Sequence, residues 1–349
     1  MISHYIYMKT PSISLLSLLL ALLIPLSTPW CYKNYMPLPS EVAKIDFSPD
    51  NAYMALVSIN APNWLLVYDL ANYDLLLNYS VSGSTITSAK FTNDGIYLGV
   101  GLNTGPTGLV YLLSGRPPFS STVNASFVLP GNIADIDFNT GNSKLLVCYS
   151  NHARYDIYGN YTGTLNVNNN ITLPSNIIRC KFSANDDIAF IDTNKYLKIY
   201  KSTNSISSNV QVNGPGFKQL DVKNSTTTPI KFVGVGNDTK IFYNFDSPVT
   251  TVLTVSTSST SNLANGQFSV VCYSGDLNYY ASAAGGSDGR VYLISDSTNS
   301  VNLTFNDAIN PNNYGLISCA FTRDGSYLFV GSQVNAGTGY LYIYKQNCY

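Results

Sequence analysis

The sequence predicts an all-β fold, on three observations. A unit of short apolar segments recurs along most of the chain, and its aromatic or aliphatic anchor returns every 40 to 51 residues. The segments are four to seven residues long, rich in β-branched, aromatic and aliphatic side chains, and bounded by Asp, Asn, Gly, Ser or Pro. No long stretch with helical periodicity follows Leu26.

The first element in chain order is a targeting segment. Lys9 precedes an apolar run from Ile13 to Leu26, interrupted by Ser14 and Ser17. The run falls short of the roughly 20 apolar residues that a spanning helix needs. A positive flank with a short apolar core reads as a secretory signal peptide over residues 1–30, cleaved between Leu26 and Cys31. The alternative is an uncleaved anchor or an assembly helix kept in the mature protein. No second apolar run exists, so no membrane span is expected after the leader is removed.

The repeat occupies the remainder, residues 31–349. In its clearest copies Ile45-Asp46-Phe47-Ser48-Pro49-Asp50 leads to Tyr53–Val57 and then Trp64–Asp69. Ala89-Lys90-Phe91-Thr92-Asn93-Asp94-Gly95 leads to Tyr97–Val100 and Leu109–Leu112, and Cys319–Gly325 leads to Tyr327–Val330 and Tyr340–Tyr344. Four middle copies are weaker, with anchors at Phe138, Phe182, Val222 and Tyr273. Alternation as in Leu197-Lys198-Ile199 buries one face of a strand. Ser-Pro-Asp and Asn-Asp-Gly between first and second strands are turn chemistry, because Gly supplies positive φ and Asp or Asn bonds its own backbone.

A period near 45 residues is the length of a four-stranded propeller blade. The expected architecture is therefore a single closed β-propeller of about seven four-stranded blades. The last copy ends after its third strand, at Lys345, and residues Tyr32 to Pro39 are expected to supply its outer strand, joining the two ends of the chain.

The pattern resembles the WD40 and YVTN-type propeller families from about Val42 to Tyr344. Its carriers are Phe47-Ser48-Pro49-Asp50, Phe321-Thr322-Arg323-Asp324-Gly325 and Ser287-Asp288-Gly289-Arg290-Val291-Tyr292-Leu293. No Gly-His or Trp-Asp dipeptide occurs, so the hydrogen-bonded tetrad of strict WD40 blades is missing. The resemblance implies a fold. It implies no function, since these families host scaffolds, receptors, surface-layer proteins and enzymes.

Six cysteines and no CxxC or Cys/His metal spacing point to disulfides in an oxidising compartment, with buried free thiols as the alternative. Closure places Cys31 beside Cys348. Blade adjacency suggests pairing Cys148 with Cys180 and Cys272 with Cys319. Acceptor sequences for N-linked glycans stand at Asn78, Asn124, Asn160, Asn170, Asn224, Asn237 and Asn302, mostly in expected turns or outer strands. Both features agree with a secreted or cell-surface protein.

Charged residues make up only 11% of the chain, against roughly 25% in an ordinary protein, and the net charge is −1. Without a basic cluster a phosphate backbone is not held, so nucleic acid is not an expected partner. Polarity comes from Asn, Ser, Thr and 27 Tyr, a surface suited to extracellular protein or glycan partners and, with net charge near zero, to self-association.

Little in the chain suggests catalysis. After the leader the one histidine is His152, in an expected turn, and there is no Gly-x-Ser-x-Gly elbow and no phosphate-cradling loop. Carboxylates pair at Asp135 with Asp137 and at Asp186 with Asp187, and Asp46, Asp137 and Asp221 each precede an anchor. Innermost strands line the channel of a propeller, where such side chains either hold a hard cation such as calcium or are simply bathed by water. No cofactor, metal or catalytic residue is assigned. The expected function is a non-catalytic extracellular glycoprotein, structural or protein-interacting, at the cell surface, in a surface layer or in an extracellular filament. The alternatives are a secreted hydrolase or lactonase-like enzyme with a channel-mouth site, and a glycan- or ligand-binding propeller.

Overall fold

A computed structural model describes residues 30–58, 63–150, 152–157, 169–172, 175–194, 196–201, 205–211, 217–222, 231–236, 240–244, 253–254, 267–276, 278–285, 291–298, 301–305, 315–332 and 338–347. Among them are strands, turns and bends but no helix, and so no helix long and apolar enough to cross a membrane.

The described strands form seven antiparallel four-stranded sheets, six of which run outward in chain order. The first holds β2 (Lys44–Phe47), β3 (Tyr53–Val57), β4 (Leu65–Asp69) and β5 (Leu75–Tyr79), where β1 is the preceding Trp30–Leu38. The second holds β6 (Thr85–Phe91), β7 (Tyr97–Thr104), β8 (Thr107–Ser114) and β9 (Ala125–Leu129). The third holds β10 (Ile133–Phe138), β11 (Lys144–Tyr149), β12 (His152–Ile157) and β13 (Asn169–Thr172). The fourth holds β14 (Ile177–Phe182), β15 (Ile188–Asp192), β16 (Tyr196–Lys201) and β17 (Ser205–Gln211). The fifth holds β18 (Phe217–Val222), β19 (Lys231–Gly236), β20 (Lys240–Asn244) and β21 (Leu253–Thr254). The sixth holds β22 (Gln267–Tyr273), β23 (Tyr279–Gly285), β24 (Val291–Ser295) and β25 (Val301–Phe305). The seventh is β26 (Leu316–Phe321), β27 (Tyr327–Ser332) and β28 (Gly339–Gln346), with β1 as its outer strand.

Each first strand packs on the first strand of the next sheet, from β2 through β6, β10, β14, β18 and β22 to β26, and β26 packs on β2. The described apolar cores lie between consecutive sheets. Ala55, Val57 and Val67 meet Ile86, Phe91 and Leu98 between the first and second sheets. Val110, Leu112 and Phe127 meet Ile136, Phe138 and Leu145 between the second and third. Phe329, Leu341 and Ile343 of the seventh meet Phe47, Met54 and Leu56 of the first.

Six of the seven first strands carry a β-bulge at the same place, for instance between Ile86 and Ser88, Ile133 and Asp135, and Ile177 and Arg179. A bulge re-aims side chains and sharpens local twist. The first turn of several sheets also repeats. Its fourth residue takes positive φ at Asn51 (56°), Gly95 (70°), Asn142 (52°), Asp186 (63°) and Gly325 (72°), as the Asn-Asp-Gly type of turn sequence predicts. The carboxylate accepts from the turn's own hydroxyl, Ser48 to Asp50 at 2.6 Å and Thr92 to Asp94 at 2.6 Å.

Two cystines join consecutive sheets as adjacency suggests: Cys148–Cys180 links β11 to β14, and Cys272–Cys319 links β22 to β26. Cys31 is disulfide-bonded, and Cys348 lies outside the described residues. The closing strand begins at Trp30, two residues earlier than expected. Trp30 is buried and stacks edge-on against Phe321 at 5.7 Å and Tyr279 at 6.4 Å, so the folded domain includes the last residue of the expected leader. The second hairpin is also longer than its apolar core implies, because Gly105 at φ 63° permits a two-residue turn and β7 pairs with β8 as far as Thr104 and Thr107. His152 is the first residue of β12, half-buried beside the ring of Tyr149, rather than in a turn. The leader, including Lys9 and Ile13 to Leu26, lies outside the described residues.

Candidate functional site

The first strands enclose a cavity of about 340 Å³. Asp46, Asp135, Asp137 and Asp221 all line it, as their positions before the anchors imply, together with Lys44, Lys90, Arg179, Lys181 and Arg323. Superposing the repeats explains the arrangement. The residue before each anchor is in turn Asp46, Lys90, Asp137, Lys181, Asp221, Cys272 and Ala320. Acid and base alternate around five sheets, and the last two carry a cystine half and an alanine instead.

Each of the three acids in that row reaches the next sheet. Asp46 Oδ2 accepts from the Phe91 amide at 2.7 Å, Asp137 Oδ2 from the Phe182 amide at 2.8 Å, and Asp221 Oδ2 from the Tyr273 amide at 2.8 Å. The lysines that follow complete the pairs: Lys90 Nζ lies 2.6 Å from Asp46 Oδ1, and Lys181 Nζ lies 4.0 Å from Asp137 Oδ1. Burial opposes ionisation of Asp46, but Lys90, Arg323 and the Phe91 amide outweigh it and hold the carboxyl below its usual range. Lys181 is likewise opposed by burial, yet Asp137, Asp221, Asp135 and Asp46 together keep it protonated beyond the ordinary lysine range.

Asp135 crosses the channel rather than the seam. Its Oδ1 accepts from Lys44 Nζ at 2.8 Å, and its acidity is maintained against burial by Lys44, Arg179 and Lys181. Lys44 is pushed down to about 7, by burial first and by Arg179 next, against the pull of Asp135. Arg179 donates to Gln219 Oε1 at 3.2 Å and to the Ile178 carbonyl at 2.8 Å. This arrangement neutralises buried charge across sheets. Every channel carboxylate accepts from a lysine or a backbone amide, which is the requirement for keeping an ionised acid buried.

The other acidic pair does not join them. Asp186 sits in the turn after β14, 2.7 Å from Lys144 Nζ and 3.0 Å from Asn139 Nδ2 of the third sheet. Further partners lie away from the channel. Asn63 holds Ile86 through both backbone groups, at 2.5 and 3.1 Å, and Asn103 holds Ile133 in the same manner at 2.6 and 3.1 Å. A buried Lys198–Asp192 pair at 2.8 Å, with Ser175 Oγ 2.5 Å from Asp192, lies within the fourth sheet. None of these partners was expected from the sequence. The alternating Asp and Lys before successive anchors was the one available signal.

The acceptor asparagines divide by position. Asn78 lies on β5 and is exposed, and Asn124 is exposed immediately before β9. Asn170 lies on β13 and Asn302 on β25. All four thus stand on or beside the outermost strand of a sheet. Asn160, Asn224 and Asn237 lie outside the described residues.

No protein-family model and no curated protein matches the sequence. Among solved structures, the β-propeller domain of Cps50 (Swd1) from Myceliophteria thermophila superposes with a TM-score of 0.69 over 91% of this chain and 99% of that one, at 11% identity. The chain has a WD40-like β-propeller fold. At that identity the likeness speaks for the fold alone. Acid-to-amide bonds, asparagine clasps and cystines bridge consecutive sheets.

Proposed function

We propose that this chain is a non-catalytic extracellular glycoprotein: one closed propeller of seven blades, sealed by β1 and by a Cys31–Cys348 bridge, acting as a structural or protein-interaction unit at the cell surface. The observation that carries the reading is the engagement of the channel carboxylates. Asp46, Asp137 and Asp221 each bind a backbone amide of the following sheet, and Asp46 and Asp135 each bind a lysine within 2.8 Å. A general acid, a nucleophile or a calcium ligand needs carboxylate oxygens free to meet substrate or cation. Here Asp46, Asp137 and Asp221 each commit an oxygen to the neighbouring blade, and Asp135 commits Oδ1 to Lys44 across the channel while its buried Oδ2 accepts no hydrogen bond.

The rim supports the same reading. The closing blade presents tyrosines: Tyr35 is exposed and packs edge-on against Tyr340 at 5.8 Å, and Tyr32 packs against Tyr344 at 5.9 Å. Tyrosine gives large contact area with few rotors, which suits a protein interface. The two cystines accord with an oxidising compartment. The test is fractionation of source cells with an antibody to the folded domain. Sugar-bearing protein accessible to a surface label, sedimenting as a complex, is the expected result. Unglycosylated protein confined to the cell interior overturns the proposal.

A further inference from the structure

The outer rims of the first two sheets combine exposed apolar side chains with acceptor asparagines. Leu75 and Leu76 on β5 are 48% and 39% exposed, and Val128 on β9 is 70% exposed, the largest value among the exposed large apolar residues described. Val123, also exposed, immediately precedes Asn124. Four of the six exposed large apolar residues therefore lie within four residues of an exposed acceptor asparagine.

The geometry of β9 is explicit. Phe127 and Leu129 are buried, while Asn124, Ser126 and Val128 are exposed, so the last three share the outward face, with about 13 Å from Asn124 to Val128 at the rise of a strand. On β5, Leu75, Leu76 and Asn78 are all exposed, and a bulge lies at Leu76, where Val67 pairs with Leu77 and Tyr68 with Leu75. Both strands end their sheets, so each offers unpaired backbone groups beside apolar side chains. Such an edge is a template for pairing with another chain, and proteins blunt it with charge, proline, bulges or a cover. No Lys, Arg, Asp or Glu lies on β5 or β9.

We propose that N-linked glycans on Asn78 and Asn124 are the cover: they lie over Leu75, Leu76 and Val128 and block edge pairing of the first two blades. This rests on the secreted reading above. In the modification the asparagine amide nitrogen forms a bond to the anomeric carbon of an oligosaccharide. The bond from that carbon to a lipid diphosphate carrier breaks, and the carrier leaves with the electron pair while the amide gives up a proton. The hydroxyl-rich sugar keeps the rim wet without charge, on a chain whose net charge of −1 gives little protection against association.

The experiment is secretion of the full chain from a eukaryotic host, site-by-site glycan mapping by mass spectrometry, and sedimentation of two variants. Ser80→Ala with Ser126→Ala removes both acceptor sequences and leaves the asparagines in place. The expected result is occupancy of Asn78 and Asn124, and a concentration-dependent rise of the variant's weight-average mass to at least about twice that of the glycosylated chain under the same conditions. Adding Leu76→Ser and Val128→Ser should restore the mass of the glycosylated chain, which separates an uncovered rim from a misfolded chain. Occupied sites whose removal leaves that mass unchanged, or association that the two serines do not reverse, overturn the proposal. Empty Asn78 and Asn124 beside occupied sites elsewhere also overturn it and leave secretion standing. A chain without sugar at any site sinks both readings together.

Discussion

Asp46 joins two blades through two oxygens, one on Lys90 Nζ and one on the Phe91 amide. Removing one member of a largely buried pair leaves the other without its countercharge, a loss of about 3 kcal/mol. Asp46→Ala is therefore expected to lower the urea midpoint strongly, whereas Asp74→Ala, at an exposed turn, should stay within about 0.5 kcal/mol. Lys44 makes a pH prediction. Its folded value of about 7 lies below the unfolded 10.5, so between those values the unfolded chain binds more protons, and stability attributable to Lys44 rises with pH. Denaturation midpoints should climb from neutral pH toward pH 9, and Lys44→Gln should flatten that climb. Asp46 and Asp135 act at the other end. Their folded values lie below the ordinary 3.8, so their contribution is complete above that pH and disappears as acid carries the solution down through the depressed values. At this scale the sequence was only half legible. Asp46, Asp137 and Asp221 were readable as channel residues because each precedes an anchor. Their partners were not, because Lys90 and Phe91 lie 44 and 45 residues further on and come into range only when successive blades pack.

Elements were more legible, because strand and turn signals are local. Phe47, Phe91 and Phe321 sit at the ends of first strands, and the Asn-Asp-Gly and Arg-Asp-Gly groups after Phe91 and Phe321 place glycine where φ is positive, as Asn51 is after Phe47. What escaped were features decided by neighbours: the bulges of the first strands, the length of the β7–β8 hairpin, and the position of His152 on β12. Two predictions belong here. Replacing Cys148 and Cys180 together by serine reopens a 32-residue separation between consecutive blades and should cost about 3 kcal/mol, read by denaturation of the oxidised protein. Gly275 lies in the first turn of the sixth sheet, where an added Cβ would collide with the Arg323 carbonyl oxygen in the first turn of the seventh. Backbone cannot yield there as a side chain could, so Gly275→Ala should destabilise by about 2 kcal/mol and raise hydrogen exchange in β22 and β26.

For the molecule as a whole, the two ends of the chain meet in one sheet, where β1 pairs with β28 from Trp30–Gln346 to Leu38–Gly339. That the amino-terminal strand completes the last sheet was readable by counting strands, since the last copy lacked a fourth. The precise start of the closing strand was not, because Trp30 is placed by its packing on Phe321 and Tyr279 and not by any local signal. On the proposed reading this propeller works by contact outside the cell and not by chemistry in its channel. The decisive measurement is electron microscopy of native, glycosylated material recovered from the cell exterior. Rings joined to one another or to a second protein, through rims that carry no sugar such as that of the closing blade, are expected. Solitary rings, monodisperse at high concentration and without a bound partner, would overturn the proposal.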